Sequence, residues 1–134
     1  MIFKLQLFST LLLAGLIITI QFVHYPLWKY VSKDRLQRFE KDHQKLITPI
    51  VSTLMLIEAL SAIILLKGFQ TLFVINFFAL LGIWLSTFFL QVPMHQKILK
   101  GIESQECIQK LINSNYIRTV LWIFRAMLLV FFVH

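Results

Sequence analysis

The chain has 134 residues, 58% of them hydrophobic and only 14% charged, with a mean hydropathy of +0.78; this exceeds what a water-soluble domain carries and indicates an integral membrane protein. The formal net charge of +7 calls for no nucleic acid, because the basic residues cluster beside apolar runs, where anionic lipid headgroups are the expected partner. A single cysteine, Cys107, excludes a disulfide framework and a four-helix thiol–disulfide exchange enzyme, which needs a dithiol pair.

The first apolar run covers about 5–23, close to the ~20 residues that cross ~30 Å of hydrocarbon. Lys4 precedes it, but no small-x-small cleavage pattern follows before His24, so an uncleaved span is expected rather than a signal peptide. Thr10, Ile17, Gln21 and His24 fall on one side of this helix. The next stretch, 29–45, carries Lys29, Lys33, Arg35, Arg38, Lys41 and Lys45. Within it Ser32 is placed to cap a helix whose Leu36, Phe39, His43, Leu46 and Ile47 recur at helical spacing, so the second helix is expected to begin before its span at about 46–66. Pro49 is expected to kink that span. His43, Val51, Leu54, Glu58 and Ser61 share its polar stripe.

The short connection Lys67 to Gln70 leads to a third span at about 71–92, on which Asn76, Leu80, Trp84, Thr87 and Gln91 align. Pro93 is expected to end it. The second basic connection holds Lys97, Lys100 and Lys110, and "SQECIQKLI" reads as a short amphipathic helix from Ser104 lying on the membrane surface, so Cys107 falls between spans. The fourth span, at about 114–133, places Asn115, Arg118, Trp122 and Arg125 on one stripe.

These elements predict one all-α integral membrane domain over 1–134, an antiparallel four-helix transmembrane bundle with cytoplasmic helical extensions. The positive-inside rule puts both basic connections in the cytoplasm and both termini in the periplasm of a bacterial inner membrane. Basic loop 29–45 is then expected to meet anionic headgroups, and self-association is left open.

Two arginines inside the fourth span need partners, since Arg at a helix centre in lipid costs roughly 2.5–3.5 kcal/mol. At ~1.5 Å per residue, Glu58 lies roughly 18 Å from Leu46 and Arg125 roughly 17 Å from Ser114, a shared level near the midplane. Glu58 is the sole carboxylate in any span, so a buried ion pair is expected, with Arg125 donating two parallel hydrogen bonds. The histidines suggest a second site: His24 ends the first helix, His43 precedes the second span and His95 follows the third, while Asn115 and Arg118 open the fourth. Imidazoles converging from several helices suit a metal or haem, and a nearby cation suits a quinone oxygen or other anionic ligand. A pocket lined by His24, His43, His95, Asn115 and Arg118, with Trp122 below, is therefore expected to take an aromatic, quinone or metal-centred group. His134, at the opposite end, is excluded from it.

The stretches "VHYPLW", "FEKDHQKLITPIV", "QVPMHQKILKG" and "NYIRTVLWIFRAML" together resemble an uncharacterised family of small bacterial four-helix membrane proteins with P-x-H-x-x-x-L and N-x-x-R-T-x-x-W-x-x-R patterns. More distantly the chain resembles the anthrone-oxygenase-like membrane family, a resemblance that implies oxidation of a polycyclic aromatic substrate near the membrane without a well-defined cofactor, and that does not assign His24, His43 or His95. Three functions are expected in turn. The first is a redox or oxygenase-like enzyme using the histidine and arginine pocket. The second is a non-catalytic membrane subunit that docks through its basic loop on lipid or protein. A small multidrug exporter is the weakest, because such proteins usually lack this charge bias and need a proton-exchanging carboxylate rather than an arginine-paired one.

Overall fold

A computed structural model describes residues 1–68, 70–102 and 105–133. The described residues form helices throughout, and four of these are long and apolar enough to cross a membrane: α1 (Ile2–Tyr30), α2 (Lys33–Leu66), α3 (Thr71–Leu99) and α4 (Gln105–Val133). Each outruns its apolar stretch at the end where the basic residues lie, and these extensions build the candidate site.

The helix expected to end at Pro93 runs on past it. Pro93 lies inside α3, which passes from α-helix into a π turn at Thr87–Gln91 and back into α-helix at Val92–Leu99. In the same way α1 contains a π turn at Ile20–His24 just ahead of Pro26, then closes with a 3-10 turn at Trp28–Tyr30. A proline lacks an N–H and its ring collides with the carbonyl four residues back. Those carbonyls belong to Phe22 and Phe89, both inside π segments, where the wider turn relieves the clash. α2 runs 34 residues through Pro49. Ser32 occupies its N-cap position with extended backbone, but its hydroxyl makes no cap hydrogen bond; its carbonyl accepts from the Arg35 and Leu36 amides instead.

The expected surface helix at "SQECIQKLI" is absent as a separate element. Its residues from Gln105 onward are the first turns of α4, Ser104 lies outside the described residues, and Cys107 is buried in helix rather than set in a loop. Cys107, Ile108 and Leu111 recur at helical spacing and pack on Tyr25, Trp28, Leu36 and Ile98, which draws this segment against the other extensions. α3 stops at a Schellman motif: Ile102 N–H donates to Lys97 O and Gly101 N–H to Ile98 O, with Gly101 at φ +72°, a conformation only glycine adopts without strain.

Polarity is inverted relative to a soluble bundle. Large apolar side chains such as Phe8, Leu60, Phe78 and Phe131 face outward, while Gln6, Thr10, Gln21, Glu58, Asn76, Gln91 and Arg125 are buried. In a membrane, where lipid tails are as apolar as leucine, helices of this kind are held by close packing and interhelical hydrogen bonds rather than by burial of apolar surface. Close packing centres on Leu13, Ile17, Met55, Ile83 and Trp122. At Gly82 a Cβ would stand 3.2 Å from Leu121 Cδ1, so the missing side chain lets α3 approach α4.

Candidate functional site

The polar side chains collect at two levels. The first unites all four helices around Glu58. Its Oε1 accepts from Arg125 Nη1 at 2.8 Å and from Thr10 Oγ1 at 2.7 Å, and its Oε2 accepts from Trp122 Nε1 at 3.2 Å. The fork of Arg125 is not spent on Glu58 alone: Nε donates to Asn76 Oδ1 at 3.0 Å and Nη2 to Thr10 Oγ1 at 3.4 Å. The two parallel bonds expected are thus replaced by one bond to the carboxylate and one to each of two neighbouring helices, because Trp122 already occupies the second carboxylate oxygen. Gln6 and Ser61 extend the cluster, Gln6 Nε2 donating to Thr10 and Ser61 Oγ to Gln6 Oε1. Arg125 and Glu58 are wholly buried. Opposite charges in direct contact, with their other polar atoms hydrogen-bonded, make this a neutral lock between helices.

The second level lies where the helical extensions meet. His24 Nε2 and His43 Nδ1 are 3.0 Å apart, so one imidazole donates and the other, accepting, is neutral at that nitrogen. His95 sits against His43 with ring centroids 6.0 Å apart. Its Nδ1 contacts Glu40 Oε1 at 2.8 Å and its Nε2 contacts the Tyr25 hydroxyl at 3.1 Å. Trp28 packs edge-on against His24, His43 and His95. The three histidines therefore converge: both nitrogens of His95 are hydrogen-bonded, and His24 and His43 each use one nitrogen on the other. Among the described residues no group of three or more His, Cys, Asp or Glu side chains is arranged to hold a metal ion; the expectation of a metal or haem centre rested on His24, His43 and His95.

Beside this cluster a cavity of about 380 Å³ lies between α2 and α3, floored by Ile17, Ile20 and Tyr25 of α1 and by Arg118 of α4. Its apolar wall includes Ile47, Val51, Met55, Trp84 and Phe88, and its polar end His43, Gln91, His95 and Arg118. Thr48, Ser52, Leu56, Phe88 and Val92 on the rim are exposed, so the opening faces sideways, towards what would be lipid. Arg118 is only 8% exposed, and its Nε has no hydrogen-bond partner. Its guanidinium rests on the Trp122 ring at 5.2 Å, and no ion pair reaches it among the described residues. The Trp84 indole N–H, on the same cavity, is likewise buried without a partner.

Of the six expected pocket residues, His43, His95 and Arg118 line the cavity. His24 stands behind His43. Asn115 donates to Gln21 Oε1 at 2.9 Å, and Trp122 donates to Glu58; neither lines the cavity. Tyr25 and Glu40 were not expected, yet they flank His95 on both sides. Glu40 was legible in principle, since it falls four residues after Leu36 and three before His43 on the inward stripe of α2, whereas a count of carboxylates confined to the spans passes over it. Tyr25 follows directly on the π turn and is buried. The glutamines of the two π turns both reach α4: Gln21 Nε2 donates to Ile112 O and Gln91 Nε2 to Leu111 O and Ser114 Oγ. These bonds seat the start of α4 and with it Arg118. Compared with family models, curated proteins and solved structures, the chain finds no match.

Proposed function

We propose that this chain is an antiparallel four-helix protein of a bacterial inner membrane, with its basic connections in the cytoplasm and its termini in the periplasm, which takes an amphiphile with an aromatic or quinone-like oxygen head from the bilayer into the cavity between α2 and α3. The observation that carries the reading is Arg118: a buried guanidinium, without an ion-pair partner among the described residues, on the wall of a mainly apolar cavity. A cation held out of water without a counter-charge is costly, and a ligand oxygen with anionic or carbonyl character would offset that cost and occupy the indole N–H of Trp84 as well. The sideways opening supports entry from lipid, and the volume lies within the range of small-ligand pockets. Arg38, Lys41 and Lys45, on one exposed face of α2 beside Leu99, would meet anionic headgroups and hold the cavity mouth at the level where a polar head resides.

The test is titration of the protein in nanodiscs with a short-chain benzoquinone, read by quenching of tryptophan fluorescence. Saturable quenching is expected. Arg118→Gln is expected to weaken it about tenfold or more, the effect of losing a charge-assisted hydrogen bond, and Val51→Trp, which fills the cavity, to abolish it. Identical titrations for the three proteins would rule the reading out.

A further inference from the structure

Glu40, His95 and Tyr25 are joined by hydrogen bonds beside the cavity, which Tyr25 and His95 line. Glu40 Oε1 accepts from Gln44 Nε2 at 2.7 Å, so the His95 Nδ1 contact with the same oxygen has the imidazole donating. A neutral His95 with its proton on Nδ1 presents Nε2 as an acceptor, and the Tyr25 hydroxyl at 3.1 Å is its donor, the longer 3.4 Å contact to Gln91 Oε1 being the other acceptor open to that hydroxyl. Carboxylate, imidazole and hydroxyl thus stand in the order in which a carboxylate orients a base and the base polarises an O–H. Tyr25 also lines the cavity, as do His95 and Arg118.

Resting on the proposed binding of an amphiphile's oxygen head in this cavity, we infer that Tyr25, His95 and Glu40 form a relay that deprotonates a weakly acidic hydroxyl head: a phenol, a hydroquinone or an enol. The ligand O–H bond breaks and its proton forms a new O–H on Tyr25, while the original Tyr25 proton passes to His95 Nε2. No electrons leave the ligand. The products are a ligand oxyanion and an imidazolium, the first stabilised by Arg118 and the second by Glu40, so the unpaired guanidinium gains its counter-charge at the moment the reaction creates one. Tyr25 contacts the ligand; His95 and Glu40 act through it and are positioning residues. The rings around His95 are Tyr25, Trp28 and His43, and among the described residues Glu40 is the carboxylate in contact with it.

The experiment uses a 2-alkyl-4-nitrophenol, whose phenolate is coloured, with the full chain in nanodiscs. Tryptophan quenching reports binding, absorbance reports phenolate, and a pH indicator in weakly buffered solution reports protons released. For the wild type we expect bound probe to be phenolate, enriched at least about tenfold over empty nanodiscs, with no equivalent release of protons because His95 retains them. Tyr25→Phe, which removes one oxygen, and His95→Gln should lose that enrichment per molecule of bound probe, the bound amount being read from quenching in each variant. The relay is overturned if bound probe stays a phenol in the wild type, if one proton appears in solution per phenolate formed, or if both variants keep the wild-type phenolate fraction. Absence of quenching in the wild type instead overturns the binding reading beneath it.

Discussion

Replacing Glu58 by Gln keeps the shape of the side chain and removes one charge from a wholly buried site. The carboxylate accepts three hydrogen bonds, from Thr10, Arg125 and Trp122. An amide supplies one oxygen and one NH2, so whichever way it turns, a donor faces a donor: against the Trp122 indole in one orientation, against Arg125 in the other. Arg125 keeps Asn76 and Thr10 but loses its counter-charge. Breaking one side of a buried pair costs on the order of 3–5 kcal/mol, and the lost indole bond falls within that sum. Changing Arg125 to Met as well removes the stranded cation, so Glu58→Gln with Arg125→Met is expected to recover most of the loss, giving a coupling of roughly 2 kcal/mol or more between the positions. The assay is reversible unfolding in mixed micelles for the wild type, both single variants and the double variant. Additive losses, or a double variant less stable than either single one, would refute the view that the pair is a neutral lock and make Glu58 a working carboxylate.

Gly101→Ala meets no neighbouring atom, so its cost is backbone strain alone, about 1–2 kcal/mol, seen as a lower unfolding midpoint with quenching by quinone unchanged. Gly82→Leu is expected to cost more than Gly82→Ala, since the alanine Cβ needs only a small shift of the Leu121 side chain and a longer one must part α3 from α4; equal midpoints would deny the close approach. With Cys107 replaced by Ala, a cysteine at Lys67 should react with a membrane-impermeant maleimide from the periplasm and one at Lys41 from the cytoplasm. The reverse pattern would invert the topology.

The four long apolar helices, their inward stripes and the level shared by Glu58 and Arg125 could all be read in advance, because an apolar helix leaves few places for a charge and advances by a fixed rise per residue. The features that could not be read depend on the chain between the spans. Pro93 looked like a terminator because a proline stops an α-helix, and the sequence carries no obvious mark that a π turn will absorb it. "SQECIQKLI" looked separate because its polar face suits a membrane surface; burial of Cys107, Ile108 and Leu111 against Trp28 and Ile98 joins it to α4. Convergence of the histidines followed from where each helix ends, but which nitrogen meets which partner depends on ring orientation, which pairs His24 with His43 and sets His95 between Glu40 and Tyr25.

The π turns also fix the rotational phase of the helical segments beyond them. One residue advances an α-helix by about 100°, so each extra residue accommodated at Ile20–His24 and Thr87–Gln91 turns the remainder of its helix by that angle relative to an uninterrupted one. Removing a single residue from the second turn would restore ordinary helical bonding and leave the composition of α3 almost untouched, yet His95 would swing away from Glu40 and Tyr25 together. Two helices geared in this way can change the residues they present to the cavity in one step by gaining or losing a residue, while the Glu58 and Arg125 lock, which lies on the other side of both turns, keeps its register.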